Sequence, residues 1–183
     1  MNQPRFFLED TFHHLYNRGV NKETIFFDLN DYYFFQRRLL KYKLKYSVKF
    51  LCYCLMPNHF HLFLWQTRRD KPISKFISDL MNSYTKSINK KYKRSGVLFE
   101  GETKNKIIYD EKKFRELTKY ILLNPVRANL SSSFEEYEFS SAKEFINIRD
   151  YSVTDNIIMN YFANIKTFKE FILSEEQTIE GSQ

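Results

Sequence analysis

The chain has 183 residues, 43% apolar and 28% charged, a composition suited to one soluble globular domain with a proper core. No apolar run approaches the roughly 20 residues of a membrane span, and residues 1–10 carry no secretory apolar stretch; a membrane or secreted protein is therefore not expected. A net charge of +7, from 29 basic and 22 acidic residues, together with 18% aromatic residues, suits a nucleic-acid partner, since phosphates need cations and unpaired bases stack on rings. Most of those rings must nevertheless fill the core, and the charge alone does not establish DNA binding. The only cysteines, Cys52 and Cys54, are too close on one strand for a useful disulfide and fit a reducing cytoplasm.

Phe12 to Tyr16 reads as a first strand, ended by the turn or bulge signal Asn17-Arg18-Gly19. Residues 28–30 can cap a helix over 31–46, with Phe34, Leu39, Leu40 and Leu44 among its apolar positions. Val48–Met56 is a second strand and His59–Gln66 its hairpin partner. Ile73–Tyr92 is a long helix, with Ile73, Phe76, Ile77, Leu80, Tyr84 and Ile88 near helical spacing, and Ser95-Gly96 follows its end. Val97–Phe99 and Lys106–Ile108 read as short strands around a basic loop. Asp110 caps a third helix, Glu111–Leu123, stopped by Asn124-Pro125. Glu135–Ile146 and Asp155–Leu173 read as further helices, and residues 174–183 as a disordered tail. The order strand, helix, strand, strand, helix, strand is the split βαβ pattern of an α+β ferredoxin-like sandwich. That fold has an antiparallel sheet with helices on one face; a helical C-terminal extension is expected to begin at Ser131-Ser132-Ser133.

Two of the four histidines lie in the run Leu55-Met56-Pro57-Asn58-His59-Phe60-His61. In a strand, residues i and i+2 point to one face, so His59 and His61 present adjacent imidazoles while Phe60 turns to the core. Pro57-Asn58 marks a turn just before them. Such a pair is either a metal platform or two half-buried sheet residues satisfied by backbone carbonyls. On the third helix Tyr120 and Asn124 share a face, being four residues apart. A tyrosine hydroxyl is a nucleophile for phosphorus once activated, because its free pKa is about 10. An amide oxygen one turn away is a competent ligand for a hard cation. With 13 tyrosines in the chain, spacing alone would favour a tyrosine that only anchors the helix.

Four stretches bear on that choice: Phe12-His13-His14-Leu15-Tyr16-Asn17-Arg18-Gly19, Leu55 to His61, Gly96-Val97-Leu98-Phe99-Glu100-Gly101 and Tyr120-Ile121-Leu122-Leu123-Asn124-Pro125-Val126-Arg127-Ala128. They resemble the single-tyrosine transposases of the HUH endonuclease superfamily, above all the REP-associated tyrosine transposase branch. Tyr137-Glu138-Phe139-Ser140-Ser141 resembles a further family segment. The resemblance implies a catalytic domain over 1–130 that cuts single-stranded DNA, often near a hairpin, with a helical extension over 131–173 packed on it. It implies that His59 and His61 bind a divalent metal, usually Mg²⁺ or Mn²⁺. Asn124 falls where relatives carry a third polar ligand, in some of them Gln. Tyr120 matches the nucleophile that forms a 5′-phosphotyrosine link and frees a 3′-hydroxyl. Monomers and homodimers that exchange tyrosine helices are both compatible with it, acting in the cytoplasm and on the nucleoid when bound to DNA.

Arg18, Lys104, Lys106 and Arg127 are candidate phosphate contacts because they lie near these motifs. Lys90, Lys91, Lys93 and Arg94 are equally a DNA surface or a solvated helix end. Two rivals remain. One is a catalytically silent DNA or RNA hairpin-binding module, which would not need Tyr120. The other is a zinc protein using Cys52, Cys54, His59 and His61, with thiolate and imidazole ligands at a spacing unusual for a zinc finger.

Overall fold

The computed structural model describes residues 7, 9–68, 70, 73–146 and 153–174. Four strands form its sheet: β1 (Thr11–Arg18), β2 (Lys49–Met56), β3 (His59–Gln66) and β4 (Lys104–Ile108). Their order is β2-β3-β1-β4, with every neighbouring pair antiparallel. That is the expected ferredoxin-like arrangement. The first helix, α1 (Leu29–Tyr46), and the second, α2 (Ile73–Lys91), cover one face. There Leu15, Phe60, Leu62 and Leu64 from the strands pack with Phe35, Leu39, Phe76, Leu80 and Tyr84. The opposite face carries α3 (Glu111–Arg127), with α4 (Ala142–Ile146) and α5 (Ile165–Leu173) beyond it, so helices cover both faces of the sheet and not one as expected.

Strand alternation divides the residues between the two faces. Phe60, Leu62 and Leu64 go to the first core, and Phe63 goes with Phe114, Ile121, Phe145, Phe168 and Ile172 to the second. One bulge modifies the rule on β2. Its register with β3 shifts between Phe50 and Cys52, so Leu51 is the extra residue. Leu51 and Cys52 therefore both join the second core.

The helix starts follow the expected caps. Asp28 Oδ1 accepts from Asp31 N at 3.1 Å, and Asp31 Oδ2 accepts from Asp28 N at 3.3 Å, a reciprocal capping box. Asp110 Oδ1 accepts from Lys113 N at 2.8 Å.

Four expected elements need correction. Helix α3 does not stop at Asn124-Pro125 but runs on to Arg127. Pro125 stands in its last turn, where a missing N–H costs one bond, and Ala128 N still donates to Asn124 O at 3.0 Å. Val97–Phe99 is not a strand; Phe99 makes a single bridge to Gly19, between Gly96 and Gly101, both at positive φ (84° and 69°). The helix expected over 135–146 is confined to Ala142–Ile146, because β2 is an edge strand with backbone groups to satisfy. Phe139 O accepts from Leu55 N at 2.9 Å and Ser141 N donates to Tyr53 O at 3.0 Å. Asp155 closes the same edge, its N donating to Phe50 O at 2.8 Å. The helix expected over 155–173 is accordingly a 3-10 turn at Ile157–Tyr161 followed by α5. The tail expected over 174–183 lies, from 175 onward, outside the described residues.

Candidate active site

The second face of the sheet changes character along its length. Phe12, Phe63, Trp65 and Ile108 make one end apolar, packed under Phe114. At the other end the same alternation presents His14, Tyr16 and Arg18 on β1, His59 and His61 on β3, and Lys104 and Lys106 on β4. Register places Arg18 opposite His59, Tyr16 opposite both His61 and Lys104, and His14 opposite Lys106. Helix α3 crosses this end with Tyr120 and Asn124.

Both histidines are held in orientation. Asn58 Nδ2 donates to Lys22 O at 3.1 Å, which fixes its amide. Asn58 Oδ1 must then accept from His59 Nδ1, 2.7 Å away, so the Nε2 of a neutral His59 carries a lone pair. That Nε2 faces Asn124 Oδ1 at 3.2 Å, a second electron-pair donor. His61 is 5% exposed. Its Nδ1 lies 2.9 Å from His14 Nε2, and its Nε2 is buried without a hydrogen-bond partner. Burial lowers the pKa of His59, helped by Arg18 and opposed by Asn124. Burial, then His14 and His59, hold His61 well below the usual histidine range. Burial, with Lys106 adding to it, takes His14 down to about 3. All three imidazoles are therefore neutral near pH 7, the state that binds metal.

A divalent cation fits these groups. Two imidazole lone pairs and one amide oxygen form a mixed nitrogen and oxygen donor set, and His59 Nε2 and Asn124 Oδ1, 3.2 Å apart, are near enough to share one cation. An orphaned buried nitrogen such as His61 Nε2 is costly unless something binds it. Among the described residues no three His, Cys, Asp or Glu side chains gather to hold a metal; a cation at the two histidines would draw on the amide of Asn124 as well. The zinc alternative fares worse. Cys52 and Cys54 are fully buried, burial pushes both thiols up, and Cys54 Sγ donates to Met56 Sδ at 3.6 Å.

Tyr120 leans on this site. Its ring meets His61 edge-on, with centroids 5.3 Å apart, while the residue stays 41% exposed. Arg127, two turns further along α3, holds its guanidinium 5.5 Å from the Tyr120 ring centre.

The sequence profile of the IS200-like transposases matches residues 12–122. The chain belongs to the IS200-like transposase family. A solved REP-associated tyrosine transposase bound to a REP hairpin has the same fold, with a TM-score of 0.70 at 15% identity, over 86% of this chain and 99% of that one. A transposase structure from Deinococcus radiodurans matches more loosely, with a TM-score of 0.45 at 16% identity over 66% of this chain and 95% of that one. No protein of curated function matches the sequence.

In this transposase the family-like segments converge. Gly19 N donates to Asn58 O at 2.8 Å, Glu100 N to Arg18 O at 2.8 Å, and Tyr137 Oη to Leu55 O at 2.8 Å. A Cβ on Gly19 would sit 2.0 Å from Glu23 O, which explains the glycine. The expected phosphate contacts all rim the site, in different states. Arg18 is ion-paired with Glu100. Lys104 and Lys106 project from the edge strand, Lys104 Nζ 5.9 Å from the Tyr16 ring. Burial lowers the pKa of Arg127, against the pull of Tyr120. Sequence reasoning missed Asn58, His14 and Tyr16. The i, i+2 spacing of His14 and Tyr16 was a usable signal.

Proposed function

We propose that this transposase is a metal-dependent endonuclease and strand transferase acting on single-stranded DNA at hairpin-associated sites through a 5′-phosphotyrosine at Tyr120. One observation carries the reading: Tyr120 rests on His61 while Asn124, one turn later, reaches His59. A bound Mg²⁺ or Mn²⁺, held by His59, His61 and Asn124, would polarise the scissile phosphate as a Lewis acid.

The protein's own groups do the rest. The Tyr120 oxygen bonds to phosphorus as it sheds its proton, the P–O3′ bond breaks, and the departing 3′ oxygen takes up a proton. Arg127 holds its guanidinium beside the Tyr120 ring, where it can meet an oxygen of the reacting phosphate. Lys104, Lys106 and Arg127 offer positive charge to the flanking phosphates. In the reverse direction a 3′-hydroxyl attacks the phosphotyrosine and releases Tyr120, so strands are rejoined without net hydrolysis. The meeting of both histidines, Tyr120 and Asn124 within one copy of the chain supports a monomer with Tyr120 acting in cis. No helix among the described residues is long and apolar enough to cross a membrane; a DNA substrate supports work in the cytoplasm, on the nucleoid.

Incubation with a library of single-stranded hairpin oligonucleotides and Mn²⁺, followed by mass spectrometry, tests this directly. A nucleotide on Tyr120 is the expected result. DNA retained without any covalent adduct would leave a hairpin-binding module instead.

A further inference from the structure

The metal reading leaves the buried imidazole of His14 unused. His14 is 6% exposed and lies on β1, beside β3 in the sheet. Its Nε2 is 2.9 Å from His61 Nδ1. The two rings are close to parallel, at 26° and 5.1 Å between centroids, and His14 also stacks on Tyr16 at 4.8 Å.

We infer that His14 is a positioning residue: its Nε2 accepts the Nδ1–H of His61 and so turns the lone pair of His61 Nε2 toward the metal site. This rests on the proposed metal role of His59 and His61.

The argument is one of tautomers. A neutral imidazole has one N–H and one lone pair. In one arrangement His61 Nδ1–H donates to His14 Nε2, and His61 Nε2 is a lone pair ready for a cation. In the other, His14 Nε2–H donates to His61 Nδ1, and His61 Nε2 carries a hydrogen. That hydrogen would be a buried donor with no acceptor, because His61 Nε2 has no partner, and an unmet buried donor costs about 1–3 kcal/mol. The first arrangement leaves a lone pair that a metal satisfies.

His59 shows the same construction independently. Its Nδ1–H is taken by Asn58 Oδ1 at 2.7 Å, leaving Nε2 for the metal. Each metal-facing imidazole thus has its own acceptor behind it, the outer support that metal-bound histidines usually have. The use of an imidazole behind His61 has a packing reason. A carboxylate there would bring a charge into a buried site, whereas a neutral ring accepts the hydrogen bond from His61 edge to edge and stacks on Tyr16.

Two variants separate acceptance from packing. His14→Phe keeps a ring against Tyr16 but cannot accept. His14→Gln can place an amide oxygen near the position of Nε2. Mn²⁺ binding is read by electron paramagnetic resonance on the DNA-free protein, beside His61→Ala. Nitrogen-15 NMR of labelled histidine reads the tautomer in the metal-free wild type. We expect His61 as Nδ1–H, Mn²⁺ affinity about 10–100-fold weaker in His14→Phe, and recovery in His14→Gln.

Wild-type affinity in His14→Phe, with His61→Ala impaired, would overturn the role of His14 and leave the metal site standing. Unchanged Mn²⁺ binding in His61→Ala would overturn the metal site itself. If His14→Phe does not fold, the tautomer of the wild type decides: an Nε2–H on His61 overturns the inference.

Discussion

Asn124 Oδ1 lies 3.2 Å from His59 Nε2, so helix α3 and strand β3 meet through two electron-pair donors. Two such atoms repel unless a proton or a cation lies between them, and His59 is held below the usual histidine range chiefly by burial. Removing the amide should therefore weaken the cation more than the fold. Asn124→Ala is expected to lower Mn²⁺ affinity roughly tenfold, about 1.4 kcal/mol, with little change in melting temperature. Asn124→Asp should bind Mn²⁺ more tightly than wild type, since a carboxylate is the better partner for a hard cation. Calorimetric titration of the three proteins measures both.

Tyr120→Phe removes one oxygen from a 41% exposed side chain and keeps its ring against His61. Stability should stay within about 0.5 kcal/mol. Hairpin DNA should still bind, and the covalent adduct should vanish on a denaturing gel. Cleavage at the wild-type rate with no adduct on any tyrosine would point to a metal-activated water, and so to hydrolysis.

Much of this site could be read in advance because the information was local. The shared face of His59 and His61 follows from strand alternation, and that of Tyr120 and Asn124 from helix periodicity. What pairs with His61 was not local. His14 reaches it only through the β1–β3 register, which aligns segments 47 positions apart. The Tyr137–Ser141 segment shows the converse failure. Phe139, Ala142 and Phe145 sit three residues apart, as on a helix face, and all are buried. The unsatisfied edge of β2 outbids that periodicity over Phe139 and Ser141, and the helix begins only at Ala142. Proline breaks helix interiors, but Pro125 stands in a last turn, where little is left to break.

Buried neutral histidines make the metal-free protein acid-sensitive. His14 falls from 6.5 to about 3 on folding, and His59 and His61 are lowered too. Between the unfolded and folded values the unfolded chain binds more protons, so stability rises with pH in that window and is lost as pH drops below about 6.5. At pH 5.5 the loss from His14 alone is about 1.4 kcal/mol. Urea unfolding at pH 7.5 and 5.5 should show a loss at least this large, and His14→Phe should lose less. Mn²⁺ should oppose the loss at pH 6.5, where protons and cation compete for the same nitrogens.

Gly19 tests the link between β1 and the hairpin that carries His59. An added Cβ would lie 2.0 Å from the Glu23 carbonyl oxygen and 3.0 Å from the Ile25 side chain. The Glu23 contact is with backbone, so the chain must move. Gly19→Ala should cost several kcal/mol, measured by chemical denaturation, and should weaken Mn²⁺ binding, because Gly19 N donates to Asn58 O and Asn58 orients His59. Wild-type stability in this variant would show that the turn relaxes freely.

The basic rim should not contribute evenly to DNA binding. Arg18 is paired with Glu100 through two hydrogen bonds, and both side chains are about half exposed, at 48% and 50%. To take a phosphate, Arg18 must leave or share that partner. Lys106 has no acidic partner among the described residues; it stands opposite His14 on an edge strand, free to release a counterion when DNA binds. Lys106→Ala should therefore lower the slope of log affinity against log salt by about 0.7 on a single strand. Arg18→Ala should lower it by less, and Glu100→Gln should raise it, by freeing the guanidinium. Fluorescence anisotropy with a hairpin oligonucleotide, titrated at several salt concentrations, gives all three slopes. A larger loss from Arg18→Ala than from Lys106→Ala would mean that the Arg18–Glu100 pair opens on DNA and that Arg18, the residue opposite His59, is the dominant phosphate contact.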